Sequence, residues 1–243
     1  MQNRKRLKFK KINILGIILA RGGSKEIPRK NLLKLNGKTL VELAIKSAKK
    51  SKLLDKVIFS TEDKEIYRVA KKAGAYLPFI RPKSLAQDYS STKDVIKHSI
   101  NWLEKNEKWY ADIIVILQPT TPFRKAKHID GVIKLLLQSE AQAAMSITTP
   151  AYPPHWMVKM NKSLKLKTII KGGNKYNRRQ ETPKSFQPAG LVYAMKKNFL
   201  YKIKGVLPTG DTRGYYVTSE ESLNIDNYSQ YLLAKSLSKK YLN

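Results

Sequence analysis

The chain contains no cysteine, which excludes disulfides, iron–sulfur clusters, thiolate zinc sites and cysteine nucleophiles together and makes a reducing cytoplasm the expected location. It also lacks a long apolar run. The stretch Ile14–Ala20, with Gly16 inside it, is far shorter than the roughly 20 residues a bilayer helix needs, so no membrane partner is expected. The basic segment before it (Arg4, Lys5, Arg6, Lys8, Lys10, Lys11) has no small-residue cleavage site of a secretion signal. Acids are scarce, 18 against 48 Lys and Arg, giving a formal net charge of +30. Histidines are few, and His98, His128 and His155 stand too far apart for metal-ligand spacing. They, like Trp102, Trp109 and Trp156, are read as packing or surface residues.

What is present is ample material for a core. With 243 residues, 42% hydrophobic and 27% charged, the chain reads as a single domain over 12–243 behind a basic tail, 1–11. On charge alone a polynucleotide binder would look like this. The lysines, however, spread over almost every segment instead of gathering on one reading element, so a lysine-rich compositional bias is the favoured explanation and nucleic acid is not the expected partner. Small anionic substrates fit either way.

Apolar runs alternate with amphipathic stretches through the first 150 residues, the pattern of repeated βαβ units and a mostly parallel sheet. Ile12–Leu19 and Asp112–Gln118 read as central strands buried on both faces, with Lys56–Ser60, Tyr76–Ile80 and Ala143–Thr148 as further strands. Helical spacing appears over Leu40–Lys52, Asp63–Gly74, Ser91–Glu104 and His128–Ser139. From Thr149 the composition changes: a proline-rich stretch leads into Lys159–Lys184, with nine basic residues and one acid. An excursion from the sheet over 152–187, as a β-ribbon or oligomer arm, is expected there. Gly190–Met195 then reads as a returning strand and Tyr228–Ser238 as a closing helix.

The densest local signal follows the first strand. In Ala20-Arg21-Gly22-Gly23-Ser24-Lys25-Glu26-Ile27-Pro28-Arg29-Lys30-Asn31, two glycines allow backbone N–H groups to approach a phosphate chain. Arg21, Lys25 and Lys30 supply positive charge, while Ser24 and Asn31 can hydrogen-bond phosphate oxygens, a ribose or a base edge. The glycine spacing matches neither the GxxxxGK[ST] loop nor GxGxxG. Its position at the carboxyl end of a central strand is where open α/β sheets bind ligands.

This segment resembles the signature of the N-acylneuraminate cytidylyltransferases, or CMP-sialic acid synthetases, and the likeness extends from about Ile12 to about Leu233. Further blocks match in order: Phe59-Ser60-Thr61-Glu62-Asp63, Arg81-Pro82 with Leu85-Ala86-Gln87-Asp88, and Leu117-Gln118-Pro119-Thr120-Thr121-Pro122-Phe123-Arg124. The resemblance implies a Rossmann-like α/β nucleotidyltransferase fold with flanking helices and a dimerisation arm. It also implies transfer of CMP from CTP to the anomeric hydroxyl of a nonulosonic acid, with pyrophosphate released.

Under that reading Arg21 and Lys30 are the candidate catalytic cations. Gly22, Gly23, Ser24, Lys25 and Asn31 hold the triphosphate side, and Arg81, Thr92 and Gln118 the cytidine side. Arg124 is placed near the sugar acid or in packing. The block Arg179–Gly190 resembles the family segment that meets the sugar acid, with Arg179 and Gln187 as candidate contacts. Gln187 and Ala189 depart from the common arginine and asparagine, which leaves other sugar acids (legionaminic, pseudaminic, ketodeoxyoctonic) or another nucleotide as alternatives; a non-catalytic nucleic-acid binder is the alternative from another class. Asn224 and Asp226 stand where the family has two aspartates that hold magnesium, and alternation on a strand would let both reach the ion. A homodimer whose arm serves the neighbour's site is implied. No residue stands out as a general base.

Overall fold

The structure, a computed structural model, describes residues 11–203 and 210–242. The basic tail up to Lys10 lies outside the described residues.

Among the described residues ten strands and six α-helices follow in chain order: β1 (Ile14–Leu19), β2 (Lys34–Leu35), β3 (Lys38–Thr39), α1 (Leu40–Lys49), β4 (Lys56–Ser60), α2 (Lys64–Lys72), α3 (Thr92–Glu107), β5 (Ile113–Leu117), α4 (Ala126–Gln138), β6 (Ala143–Thr148), β7 (Val158–Met160), β8 (Leu166–Thr168), β9 (Gln187–Lys196), α5 (Lys197–Lys202), β10 (Thr212–Tyr216) and α6 (Tyr228–Leu242). The main sheet has the order β10-β6-β9-β5-β1-β4. Strand β9 runs antiparallel to both neighbours, and the other pairings are parallel. The mostly parallel α/β architecture expected from the alternating pattern is the one observed.

Successive side chains of a strand point to opposite faces, and here they enter two separate cores. On β1, Ile14 and Ile18 join Val41, Ala44, Ile45 and Ala48 of α1 and Ile129, Val132, Ile133 and Leu136 of α4. Leu15 and Ile17 join Ile96, Ile100 and Leu103 of α3 on the other face. The same alternation divides β5, so neither central strand has a polar face to spare. This is why both read as continuous apolar runs. Helix starts are capped by local chemistry: Thr39 and Glu42 form a reciprocal capping box on α1, Asp63 caps α2 and Ser91 caps α3.

Two expectations are corrected. Tyr76–Ile80 is not a strand; only a bridge between Ile58 and Tyr76 forms, with the Phe59 amide donating to the Tyr76 carbonyl at 2.8 Å. Pro78 lacks the N–H that a longer ladder would need. Asn224–Asp226 is likewise irregular backbone, held by the Ile225 amide on the Thr120 carbonyl at 2.8 Å. Strand alternation therefore does not set the relation of Asn224 to Asp226. Strand β10, beside β6, adds a sheet edge that the reading of the sequence did not include.

Between β6 and β9 the chain leaves the sheet. Strands β7 and β8 form their own antiparallel ribbon, with Val158, Met160 and Leu166 exposed. No helix among the described residues is long and apolar enough to cross a membrane.

Candidate active site

The loop after β1 is shaped by three tethers. Asn31 is buried, and its Nδ2 donates to the Arg21 carbonyl at 2.9 Å, which ties the two ends of the loop together. The Gly22 amide donates to Glu62 Oε1 at 2.7 Å. Arg29 adopts a left-handed conformation (φ 57°), which costs a non-glycine residue roughly 1–2 kcal/mol. Its guanidinium offsets that cost by gripping Asp63 at 2.6 and 3.1 Å and by pairing with Glu65. Asp63 also accepts from the first amides of α2. Burial acts to raise the Asp63 pKa, but the Arg29 hydrogen bond and the helix amides outweigh it and hold the carboxyl below its usual value.

The two glycines of the loop differ in what they require. A Cβ on Gly22 would stand 2.5 Å from Asp63 Oδ2, whereas one on Gly23 would meet nothing within 4 Å. Gly22→Ala is therefore expected to displace Asp63 and lower the unfolding midpoint, by about 1–3 kcal/mol of stability. Gly23→Ala is expected to leave both stability and activity unchanged. Urea unfolding of both variants beside steady-state kinetics checks the pair, and equal stability loss at the two positions would contradict it.

Past the carboxyl ends of β1 and β5 lies a cleft of about 680 Å³. It is lined by Arg21, Ser24, Lys25, Lys30, Asn31, Arg81, Thr92, Gln118 and Asp226, all singled out from the sequence, together with Leu19, Glu26, the 85–88 segment, Ser90, Val95, Pro119 and Thr120. Residues far apart in the chain meet here. Lys30 Nζ lies 3.1 Å from Asp226 Oδ1. Asp88 bridges two cations, with Oδ1 at 2.9 Å from Arg21 Nη1 and Oδ2 at 2.8 Å from Lys25 Nζ. The hydrogen bond from Lys25, then that from Arg21, keeps the Asp88 carboxyl below its usual range.

Arg81 is buried at the cleft wall. Its Nε donates to Ser60 Oγ at 3.1 Å, its Nη2 to the Ser60 carbonyl, and Nη1 lies 3.6 Å from Glu62 Oε2. Burial, only partly offset by Glu62, pulls its pKa down. The Asn31 amide nitrogen is committed to Arg21, which leaves Oδ1, buried and without a partner, as its free group. A free acceptor suits a hydroxyl or a base N–H, so of the three contacts open to Asn31 from the sequence the ribose and the base edge fit this orientation and a phosphate oxygen does not.

Six candidates are not part of the cleft lining: Arg124, Arg179, Gln187, Gly22, Gly23 and Asn224. Arg124 is buried and donates to Ser47 Oγ and to the carbonyls of Gln118 and Leu191. Of its two expected placements, packing is the one observed. Arg179 is in the 152–187 excursion, with Nη2 on the Pro150 carbonyl at 2.8 Å, and Gln187 begins β9 opposite Thr148. Gly22 and Gly23 shape the loop without lining the cleft. The bridging role of Asp88 and the tethers from Glu62 and Asp63 were not assigned from sequence, although all three residues stand inside the quoted motif blocks.

A divalent cation was expected at Asn224 and Asp226. Asn224 Nδ2 donates to Asp226 Oδ2, and Asn224 Oδ1 is buried without a partner. The carboxylate, whose Oδ1 also pairs with Lys30, and the orphaned amide oxygen are hard-oxygen donors of the kind that suits magnesium, which binds few protein groups and keeps several waters, once the Asn224 amide turns its oxygen to the carboxylate. Among the described residues no cluster of three or more His, Cys, Asp or Glu could hold a metal.

Residues 15–224 match the profile of the family described as cytidylyltransferase. A pseudaminic acid cytidylyltransferase of Campylobacter jejuni is 31% identical over 194 residues, 77% of this chain and 83% of that protein. An N-acylneuraminate cytidylyltransferase of Escherichia coli is 30% identical over 228 residues, 93% of this chain and 52% of that protein. Among solved structures, a CMP:2-keto-3-deoxy-manno-octonic acid synthetase complexed with CTP superposes with a TM-score of 0.68 at 17% identity, covering 94% of this chain and 99% of the other.

Proposed function

The chain belongs to the cytidylyltransferase family and is a nucleotidyltransferase enzyme, and from that premise we propose that it transfers CMP from CTP to the anomeric hydroxyl of a nonulosonic acid. The anomeric oxygen attacks the α-phosphorus, the bond from that phosphorus to the α–β bridging oxygen breaks, pyrophosphate leaves with the bonding pair, and the hydroxyl proton is released to water. The chain's work is alignment and neutralisation of the charge that builds on the transferred and leaving phosphates.

The observation that carries this reading is the convergence of Arg21, Ser24, Lys25 and Lys30 with Asp226 in one cleft beyond the central strands. In it, Ser24 and Lys25 hold the triphosphate and Arg21 and Lys30 offset the charge of the reacting phosphates. Arg81, Thr92, Gln118 and Asn31 Oδ1 face the nucleoside. The ion pairs of Asp88 with Arg21 and Lys25 are exchanged for triphosphate oxygens when CTP binds. Asp226 and Asn224 Oδ1 would hold magnesium. A cation held there would supply neutralisation and polarisation of the triphosphate.

Relatives whose names specify pseudaminic and N-acylneuraminic acids support a nine-carbon acid as acceptor. Gln187 in place of the common arginine removes a bidentate carboxylate clamp, so the acceptor's carboxylate, which all nonulosonic acids share, is held by other groups. The exposed apolar ribbon β7–β8 suits a homodimer in which the excursion carrying Arg179 serves the neighbour's cleft; light scattering on the full chain tests the dimer.

Pyrophosphate release from CTP with pseudaminic, legionaminic, N-acetylneuraminic and 3-deoxy-manno-octulosonic acids, with and without magnesium, tests the assignment. Magnesium-dependent turnover with a nonulosonic acid is expected. Turnover only with the eight-carbon acid, or with none of the four, would overturn it.

A further inference from the structure

A second cavity, about 410 Å³, lies where the last turn of α1, the turn before α4 and the end of α6 meet. Arg124 forms part of its wall and is 4% exposed. No carboxylate pairs with it among the described residues. Nε donates to Ser47 Oγ at 3.2 Å, and Nη1 to the carbonyls of Gln118 (2.7 Å) and Leu191 (3.1 Å) and to Thr121 Oγ1 (3.1 Å), whereas Nη2 meets no acceptor. Neutral oxygens compensate only part of the cost of taking a cation out of water. Burial pulls the Arg124 pKa down to about 9, which leaves the group charged at neutral pH.

The other walls sharpen the imbalance. Lys46, Lys50, Lys125 and Lys127 surround the cavity; Lys127 pairs outward with Glu221 at 3.1 Å, and among the described residues no acidic residue lines the cavity. In a chain of net charge +30, exposed lysines around a hollow carry little information by themselves. The buried guanidinium with an unused donor is different, because folding leaves Nη2 unsatisfied and shut off from solvent, and an anion that parts the wall at Arg124 would satisfy it. Leu43, Pro122 and Tyr241 add apolar surface beside the cations. The volume lies within the roughly 300–1,000 Å³ of small-molecule pockets.

We propose that this pocket is a second ligand site, separate from the cleft, which takes a small phosphate-bearing dianion with Arg124 on its inner wall and Lys46 and Lys50 on its exposed wall. Phosphate fits better than a single carboxylate, since its oxygens can accept from a guanidinium and from several ammonium groups at once. The pocket also touches the machinery of the cleft: Arg124 holds the carbonyl of Gln118, and Gln118 lines the cleft. An occupant that draws on the guanidinium acts on that contact, so phosphate and CTP affinities are coupled and the coupling is reciprocal.

Calorimetry and hydrogen exchange on the full chain, with inorganic phosphate and phenyl phosphate as probes, test the site without CTP turnover. Added probe is expected to protect residues 46–50 and 122–127, apart from any protection at 21–31 in the cleft. The exposed double substitution Lys46→Gln, Lys50→Gln should weaken binding at this site by about tenfold, as loss of two partly solvated charge contacts implies, and leave CTP affinity measured without phosphate unchanged. Tighter binding of phenyl phosphate assigns an organic monoester, and equal binding of both probes assigns the free ion. No protection at 46–50 and 122–127 at about 10 mM probe, where even a weak site near the millimolar range would fill, overturns the proposal. So does an affinity that the double substitution leaves untouched.

Discussion

Lys30→Ala is expected to abolish pyrophosphate release while the protein stays folded. Lys30 Nζ is mostly buried in the cleft, with its side chain 16% exposed, and its partner Asp226 is 58% exposed. An ion pair with one solvated member contributes little to stability, of the order of 0–1 kcal/mol, so the unfolding midpoint should barely move. Turnover should fall by about 10²–10³ or more, the usual consequence of removing one fixed charge that stabilises a developing anion. Lys30→Arg keeps the charge but not the compact ammonium, and the 3.1 Å contact to Asp226 leaves little room for a planar guanidinium. Only partial recovery is expected. A coupled pyrophosphate assay and circular dichroism on both variants supply the measurement; near-normal kcat in Lys30→Ala would remove this residue from the chemistry.

Arg81→Met should damage stability and nucleotide binding together, and the two effects are separable. The substitution removes the hydrogen bonds to Ser60 and leaves Glu62 close to an apolar side chain, with Oε2 already lacking a hydrogen-bond partner. Breaking one member of a buried ion pair costs about 3–5 kcal/mol. Adding Glu62→Gln removes the stranded charge and keeps an oxygen for the Gly22 amide, so the double variant should regain part of that stability. CTP affinity should stay low in both, because the guanidinium facing the cleft is absent. Urea unfolding and CTP calorimetry across the cycle decide it: an Arg81→Met protein as stable as the parent would mean that the pair contributes nothing, and full recovery of CTP binding in the double variant would mean that Arg81 acts only through Glu62.

The fold was legible because its signals are local. Continuous β-branched runs identify strands buried on both faces, and Val95, Ile96, Ser99, Ile100 and Leu103 form one stripe of α3 by spacing alone. Thr39, Asp63 and Ser91 mark helix starts through bonds spanning two or three residues. The segment Tyr76–Ile80 shows the limit of such reasoning. Its composition is that of a strand, but Pro78 and the lack of a second neighbour leave it with one bridge.

The loop's share of the cleft could be named from the residues themselves, because the loop after β1 carries its cations within eleven residues, Arg21 to Asn31, at the sheet edge where strand ends gather; Arg81, Thr92, Gln118 and Asp226 were reached only through the family resemblance. What the sequence determined was therefore the identity of the groups and the edge of the sheet where they gather. Only the tertiary structure decided which of them face the ligand. Lys30 meets Asp226 across 196 positions, and Asp88 closes on Arg21 and Lys25 from a separate segment. Arg124, a motif residue like the others, turns inward to Ser47 and Leu191. Periodicity encodes which side of an element is dry, since each residue's burial follows from its near neighbours. The partner of a charge is chosen by whatever distant segment the packed sheet brings within a few ångströms, and no local pattern carries that distance.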